Sequence, residues 1–501
     1  MTLISRVLGF VRDIVLAKLF GATYAADAFF VAFRIPNFLR RLFAEGAFSQ
    51  AFIPVLAEYK TQRSQEDVKA LVDRVAGTLA GILFLVTALC ILAAPLIVMV
   101  FAPGFTDEPE KFEITKTMLR ITFPYLLFIS IAAFVGAILN TYGRFWVPAF
   151  TPVLLNLSLI GAAIFAAPYF EKPVIAVAWG VFVGGLLQLG FQLPYTAKLG
   201  LLPHPRFTWR DSGVQRVLKL IGPAIFGVSV SQINLMVDTL LASFLPTGSV
   251  SWLYYSDRLL EFPLGIFGIA LGTVILPHLS ERHAQGSMEQ FSHMLDWSLR
   301  WVFVITVPAA IGLTILAGPM LATLFQYGKM TPFDVQMSTL SLTAFAPGLI
   351  GFTLIKVLAP GYYARQDTRT PVRIGVICMI SNVAINLVVI WKLKHAGLAL
   401  ATSLSGFLNA ALLYHGLRKS GIYTPEPGWK RLWLQLLFAS TVMTAVVSFG
   451  RGELSQWIAW NAGARAWHLG AWIAAGMAAY WATLWLVGVR LKDMTASRAP
   501  V

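Results

Sequence analysis

The sequence predicts an all-α membrane protein with about fourteen transmembrane helices. Hydrophobic residues make up 57% of the chain and charged residues only 13%, whereas soluble domains are usually about 25% charged. Apolar stretches of at least about 18 residues recur from end to end, which is long enough for a helix to cross the hydrocarbon core of a bilayer. A β-barrel would instead show alternating segments of about ten residues.

The predicted helices follow one another with short polar loops between them. The first is expected to be retained, because Arg12, Asp13 and Lys18 interrupt its apolar run in a way that does not fit a signal peptide. The predicted helices are residues 2–21, 25–58, 68–101, 113–142, 148–168, 173–198, 213–246, 250–281, 289–325, 333–363, 371–391, 396–418, 428–450 and 466–490.

The basic residues are distributed unevenly between the two sets of loops. One set holds most of the Lys and Arg, including Lys60, Arg206 and Arg418, whereas the opposite set holds few, such as Lys111 and Lys172. By the positive-inside rule this bias places both termini in the cytoplasm. The formal net charge of +15 is therefore interpreted as a membrane topology pattern and not as a nucleic-acid-binding surface.

Two short matches indicate an internal repeat. Pro54–Glu58 and Pro277–Glu281 share the pattern Pro-x-Leu-x-Glu at the ends of the second and eighth helices, and Thr151–Val153 matches Thr370–Val372 near the starts of the fifth and eleventh. Six helices separate the two copies, so the copies have the same orientation and are related by a parallel pseudo-two-fold axis. The predicted parts are an N-terminal lobe at 1–200, a C-terminal lobe at 213–420, and two added helices at 428–490.

Charged residues lie at membrane depth in the first, second and eighth helices. The second helix alone carries Arg34, Arg40, Arg41 and Glu45, and exposing four charges to lipid would cost on the order of 10 kcal/mol. They are therefore expected to face protein or water. The complete set also includes Arg6, Arg12, Asp13, Lys18, Asp27, Asp257, Arg258 and Glu261.

Positive charges outnumber negative ones in this set, which favours an anionic ligand. The planar guanidinium group of Arg binds a diphosphate through paired hydrogen bonds. The alternative is that the charges pair internally, for example Arg6 with Asp13 or Arg258 with Glu261, and only hold helices together. Pro36 and Pro263 can also kink their helices.

A second polar group is predicted in the C-terminal copy. It consists of Asp238, Asn382, Asn386 and Thr402. These oxygen ligands could hold a monovalent cation, or they could make ordinary interhelical hydrogen bonds.

Catalytic patterns are missing from the sequence. It contains no Gly-x-x-x-x-Gly-Lys-Ser/Thr, no Gly-x-Ser-x-Gly, and no His or Cys spacing typical of a metal site. Cys90 and Cys378 lie in apolar stretches and are interpreted as buried hydrophobic residues. The protein is not expected to be an enzyme.

Three stretches near the N-terminus, Ser5–Asp13, Asp27–Asn37 and Arg40–Phe48, resemble the MurJ (MviN) family of bacterial lipid II flippases. This family belongs to the superfamily of multidrug, oligosaccharidyl-lipid and polysaccharide exporters. The likeness continues in Trp252–Pro263, Phe325–Gly328 and Val357–Asp367 and extends over nearly the whole chain. Relatives usually carry about a dozen residues before the Ser-Arg pair, so either the first helix is short or the recorded start lies downstream of the true one.

The resemblance implies two six-helix lobes around a V-shaped cationic cavity, with a groove for the undecaprenyl tail at residues 428–490. The implied substrate is lipid II, the diphosphate-linked peptidoglycan precursor, which moves from the inner to the outer leaflet of the cytoplasmic membrane by alternating access. The cavity positions that match the family are Arg6, Arg12, Asp27, Arg40, Arg258 and Glu261, with Asn37, Arg41 and Asp257 as neighbours.

A possible sodium ion is also implied by some relatives, at positions like those of the second polar group. Asn386 stands here in place of an acidic ligand, so the match is incomplete. The expected partners are lipid II, membrane lipids and proteins of cell wall synthesis. The alternative function is export of another polyprenyl-diphosphate-linked glycan or of a drug, although a drug exporter is expected to have a more apolar or acidic cavity.

Overall fold

The computed structural model describes residues 2–42 and 48–489, and within these ranges the chain is helical with no β-strand. Glu45, which the sequence analysis counted among the membrane charges, lies outside the described residues. The helices are α1 (Thr2–Phe20), α2 (Tyr24–Arg40), α3 (Ser49–Gln62), α4 (Gln65–Leu92), α5 (Ala94–Phe101), α6 (Pro109–Thr122), α7 (Pro124–Thr141), α8 (Trp146–Gly161), α9 (Val174–Ala197), α10 (Ser212–Ser243), α11 (Ser249–Ala284), α12 (Met288–Ile315), α13 (Ala317–Phe325), α14 (Pro332–Phe345), α15 (Gly348–Tyr363), α16 (Arg369–Lys419), α17 (Trp429–Arg451), α18 (Leu454–Ala459) and α19 (Ala462–Leu486).

Many of these helices are suited to a membrane. Among the described residues, eight helical stretches are long and apolar enough to cross a bilayer, with α6 and α7 together forming one of them. A ninth span results if α14 and α15, bent by 41° at their junction, are counted as one. The 51-residue α16 contains a non-helical residue, Lys394, with φ 49°, at the boundary between the predicted helices 371–391 and 396–418. The all-helical membrane fold is thus confirmed, while the number of fourteen spans stays a prediction.

Prolines explain where several predicted helices divide in two. Pro95 and Pro124 lie in the first turns of α5 and α7, where the missing N–H group of proline would have no partner within the helix in any case. Pro347 immediately precedes α15. The predicted helices 68–101, 113–142 and 333–363 are therefore each built from two consecutive segments.

Two compact units divide the chain, Met1–Ser251 and Trp252–Val501. In the first unit α1 packs against α8, α2 against α6, and α10 against α3 and α4. In the second unit α15 packs against α16, and α17 packs against both α19 and α12. The lobes predicted at 1–200 and 213–420 follow the sequence repeat and not this division into compact units. Their boundaries stay a prediction.

The two copies share a local side-chain contact. Asp27, the fourth residue of α2, lies 3.4 Å from Lys111, the third residue of α6. Trp252, the fourth residue of α11, donates a 2.9 Å hydrogen bond to Asp334, the third residue of α14. Equivalent positions therefore join equivalent helices within each unit, although the chemistry of the pair has changed from an ion pair to an indole–carboxylate hydrogen bond.

Candidate functional site

The carboxylate of Asp27 is buried and accepts several hydrogen bonds within the first unit. Asp27 is 1% exposed, and its Oδ2 accepts a 2.7 Å hydrogen bond from the backbone N–H of Gly248. Its Oδ1 accepts bonds from both the backbone N–H and the hydroxyl of Ser251, at 2.9 and 2.6 Å. Because the five-residue loop from residue 244 to 248 and the start of α11 provide these donors, the carboxylate fixes the α10–α11 connection to the start of α2.

Lys111 compensates the buried charge of Asp27. Its ammonium nitrogen lies 3.4 Å from Asp27 Oδ2, donates to Thr247 Oγ1 at 3.1 Å, and is 4.3 Å from the centroid of the Phe105 ring. Lys111 is itself only 1% exposed. A buried charge is tolerated when it is paired and fully hydrogen-bonded, so these two residues depend on each other.

Gly104 provides a second close approach at the same end of the unit. Its N–H donates to Ser243 Oγ at 3.1 Å, and a Cβ atom at this glycine would lie 2.2 Å from the Ser243 carbonyl oxygen. The segment after α5 and the end of α10 are therefore in backbone contact. The positive-inside pattern predicts that all of these connections lie on the outer side of the membrane, which makes this cluster a candidate outer closure.

Arg12 is a buried and paired side chain. It is 8% exposed, its Nε and Nη2 donate to Asp13 Oδ1 at 3.0 and 2.7 Å, and its Nη1 donates to Asn156 Oδ1 at 3.0 Å. Asn156 also donates to the Ser5 carbonyl at 3.2 Å. Asp13, which the internal-pairing alternative matched with Arg6, is therefore paired with Arg12. The hydrogen bonds of Asn156 to Arg12 and to Ser5 join α1 to α8.

The C-terminal half of α2 carries the other predicted cations of the first unit. Arg34 donates to Thr239 on α10 at 2.8 Å, and Arg40 donates from Nε to Asn37 Oδ1 at 3.0 Å. Arg40 and Arg41 are half-buried. This half of α2 therefore presents guanidinium groups that are not enclosed in the protein interior.

The predicted residues of α11 form a local ion pair. Arg258 Nη1 lies 2.6 Å from Glu261 Oε2, and the two side chains are 31% and 46% exposed. The Arg258 guanidinium also lies 4.7 Å from the centroid of the Tyr254 ring. Asp257 beside it is half-buried. The pairing of Arg258 with Glu261 is the one named in the internal-pairing alternative, and it leaves both groups partly accessible.

The second polar group is divided between the units. Asn386 donates to Asn382 Oδ1 at 2.9 Å, and Asn382 donates to Thr402 Oγ1 at 3.5 Å. Both asparagines are fully buried. Two of the proposed oxygen ligands therefore accept hydrogen bonds from amide groups of the same cluster, as the interhelical alternative requires. Asp238 is half-buried on α10 in the first unit.

The predicted site residues are thus placed in three settings. Asp27 and Arg12 are buried in bonded networks, Arg6 is exposed on α1, and the remaining cavity positions are partly exposed. Sequence reasoning missed the roles of Lys111 and Asn156. Lys111 and Asp334 each lie two residues after the proline that begins their helix, α6 or α14. This shared position could have identified Lys111, whereas Asn156 has no distinguishing pattern.

Comparison with known proteins gives consistent results. The family described as "Lipid II flippase MurJ" matches residues 16–462. A protein of Vibrio cholerae called "Probable lipid II flippase MurJ" is 51% identical over 506 residues, covering 99% of this chain and 96% of the relative. A protein of Haemophilus influenzae with the same description is 50% identical, covering 98% of each chain.

Solved structures agree with these sequence matches. One described as "Lipid II flippase MurJ, inward closed conformation" superposes with a TM-score of 0.82 at 27% identity, covering 96% of each chain. An inward-facing multidrug resistance MATE family transporter of the MOP superfamily superposes with a TM-score of 0.69 at 13% identity, covering 83% of this chain and 95% of that one. The second likeness concerns the fold alone.

Proposed function

This chain belongs to the MurJ family of lipid II flippases, and from that premise we propose that it moves lipid II by alternating access, with the Asp27–Lys111 cluster as its outer closure. The observation that carries the function is the family membership itself, at about half identity over almost the entire chain. The protein is a multi-pass protein of the bacterial inner membrane and a transporter, not an enzyme. The alternative substrates, another lipid-linked glycan or a drug, are not favoured.

The proposed outer closure is supported by the chemistry of the cluster. Asp27 accepts one hydrogen bond from Gly248 of the α10–α11 loop and two from Ser251 in the first turn of α11, and Lys111 neutralises its charge from α6. All partners of the carboxylate apart from Lys111 come from one short segment. Separating that segment from α2 would release every one of those bonds together, which suits a contact that opens and closes as a unit.

The proposed diphosphate ligands are the guanidinium groups that stay accessible. Arg6 is exposed, and Arg40, Arg41 and Arg258 are partly exposed. Bidentate contacts between guanidinium groups and phosphate oxygens would compensate the charge of lipid II at membrane depth. Arg12 stays a predicted ligand, but its guanidinium already bonds Asp13 and Asn156, so we propose that it mainly positions α1.

The experiment is depletion of the protein in its host, followed by addition of a lipid II-degrading toxin from outside. Loss of flipping leaves lipid II protected in the inner leaflet. The intact gene should restore cleavage, whereas Arg40→Ala should not. Arg451→Ala, which changes an exposed arginine at the end of α17, is the matched control and should restore cleavage fully.

Two outcomes would contradict the proposal at different levels. Undiminished cleavage after depletion, in a host without a second flippase, would reject lipid II as the substrate. Normal cleavage with Arg40→Ala would retain the substrate and reject the cationic ligand set.

The remaining parts of the proposal are independent of these tests. Three expectations stay predictions. The first is that both termini lie in the cytoplasm, and the second is that the protein contacts proteins of cell wall synthesis. The third is a sodium ion bound by Asp238, Asn382, Asn386 and Thr402. Asn386→Asp would restore the acidic ligand of some relatives, so sodium dependence of flipping that strengthens in this variant would support the ion site. Unchanged dependence would favour the hydrogen-bonded alternative.

A further inference from the structure

The second unit contains an apolar cavity that the proposed transport mechanism does not use. Its volume is about 750 Å³, within the range of about 300–1,000 Å³ that is common for small-molecule sites. The walls come from α12, α15, α16, α17 and the segment from residue 423 to 428, including Leu299, Leu354 and Ala411. The cavity is therefore distinct from a groove between α17 and α19.

The cavity borders the region where lipid chains lie. Ala411 on α16 and Trp433 on α17 both line it and are both exposed, and α16 and α17 are among the helices apolar enough to span a membrane. Because exposed apolar side chains on a membrane-spanning helix are most stable against lipid, we expect this side of the cavity to face the bilayer. Because the walls are apolar, an acyl chain fits the cavity better than water does.

The mouth of the cavity is aromatic and carries one exposed lysine. Lys430 lines it and is exposed, whereas the nearby Arg300 guanidinium, 5.1 Å from the centroid of the Trp429 ring, is paired with the Asp296 carboxylate. Tryptophan is enriched where a helix leaves the hydrocarbon region, and basic residues there attract anionic headgroups. Glu426 also lies in the lining and contacts the imidazole of His293. The exposed Lys430 ammonium is therefore the group of the lining that can meet a lipid phosphate.

The wall beside this mouth is firmly held. Asp296, which is fully buried, accepts hydrogen bonds from the Tyr423 hydroxyl at 2.7 Å and from Trp429 Nε1 at 2.8 Å. Arg300 donates to Asp296 at 2.7 Å and to the Pro427 carbonyl at 3.0 Å. One wall of the cavity is therefore held in place by hydrogen bonds within the protein.

We propose that this cavity binds one acyl chain of an anionic phospholipid, with the phosphate of the lipid at Lys430. The apolar walls select the chain, and the ammonium group of Lys430 selects the headgroup charge. The site would hold a membrane lipid between the start of α17 and helices α12, α15 and α16. It would be separate from the site of the transported substrate.

Native mass spectrometry of the full-length purified protein tests the proposal with phosphatidylglycerol and phosphatidylcholine as probes. Phosphatidylglycerol should be retained preferentially. Lys430→Gln should lower that preference about fivefold, the effect expected of one lysine at a charged membrane surface. Ala411→Trp should reduce retention of both lipids by filling the cavity. Lys392→Gln and Ala149→Trp, at exposed positions elsewhere, are matched controls and should behave as the unmodified protein.

Quenching of tryptophan fluorescence by a bound lipid can be measured on the unmodified protein, so this second test does not depend on whether a variant folds. Phosphatidylglycerol with brominated chains should quench the unmodified protein, and Trp433→Phe should remove part of that quenching. Equal retention of both lipids in the unmodified protein, or normal retention in Ala411→Trp, would overturn the proposal. Displacement of phosphatidylglycerol by an equal concentration of undecaprenyl phosphate would also overturn it, since the cavity would then belong to the polyprenyl tail.

Discussion

Asp27 and Ser251 are joined by two hydrogen bonds to a single oxygen, because Ser251 donates to Asp27 Oδ1 from its backbone N–H and from its hydroxyl. Ser251 lies in the first turn of α11, where the backbone N–H groups have no partner within the helix and favour a carboxylate. Asp27, at the start of α2, thus accepts hydrogen bonds from groups in the first turn of α11. This relationship makes Asp27 the best point at which to test the outer closure.

Replacement of Asp27 by Ala should open the outer end of the first unit. The change removes three hydrogen bonds, and Glu108 then remains as the acidic residue beside the buried Lys111. Breaking a buried ion pair in this way lowers the free energy of unfolding by about 3–5 kcal/mol. Labelling of Ser249→Cys by an impermeant maleimide reports the opening, in a chain with Cys90→Ala and Cys378→Ala. Ser249 is 1% exposed, so labelling should rise several-fold with Asp27→Ala.

Asp107→Ala is the control for this experiment, because Asp107 is an exposed carboxylate in the adjoining segment. It should leave labelling unchanged. The double variant Asp27→Asn/Lys111→Met should recover much of the closure, since contacting charges are strongly non-additive. Labelling that is equally low in the Asp27→Ala and unmodified proteins would show that the cluster does not hold the outer end shut.

Arg12→Ala and Arg40→Ala should fail for different reasons. Arg12→Ala leaves the 1%-exposed Asp13 without its guanidinium partner, which should lower the free energy of unfolding by about 3–5 kcal/mol. Arg40 is half-buried at the end of α2, so its removal should abolish flipping with little change in stability. Thermal unfolding of both detergent-solubilised variants separates these effects. A normal unfolding temperature for Arg12→Ala would assign it to substrate binding instead.

Asp296→Ala should loosen the connection between α12 and α17. The carboxylate accepts hydrogen bonds from Arg300, Tyr423 and Trp429, and its removal would leave several buried donors without an acceptor, each costing about 1–3 kcal/mol. Hydrogen exchange of residues 423–429 should increase, and the unfolding temperature should fall. Glu289→Ala, at an exposed position on the same helix, is the control; matching exchange in the two variants would refute the proposed anchoring.

Gly77→Ala should displace the segment between α9 and α10. A Cβ atom at Gly77 would lie 2.3 Å from the backbone carbonyl carbon of Arg206, and Arg206 N–H donates to the Asp73 carbonyl at 3.0 Å. The added methyl group would overlap the backbone of Arg206, so either α4 or the segment between α9 and α10 must move. We expect the free energy of unfolding to fall by about 1–3 kcal/mol. Gly190→Ala has open space around its Cβ and should be neutral or stabilising; thermal unfolding distinguishes the two.

Much of the fold was predictable because it depends on local patterns. Hydropathy and the positions of charges indicated a helical membrane protein, and the prolines explain the divided helices that the structure shows. The kink at Lys394 falls between two helices that were predicted separately. The pairing of α10 with α3 and α4 was not predictable, since no sequence pattern states which helix faces lie together.

The sequence by itself determined the membrane class, the family and the charged residues that interrupt the apolar stretches, because composition and motif spacing are properties of neighbouring residues. Only the tertiary structure decided how those charges are used. Arg12 is paired with Asp13 and Asn156, Asp27 with Lys111, and Arg40 remains partly accessible. The physical reason is that burial and charge compensation depend on partners distant in sequence, and a charged side chain becomes structural or available to a ligand according to which partner the packing brings within reach.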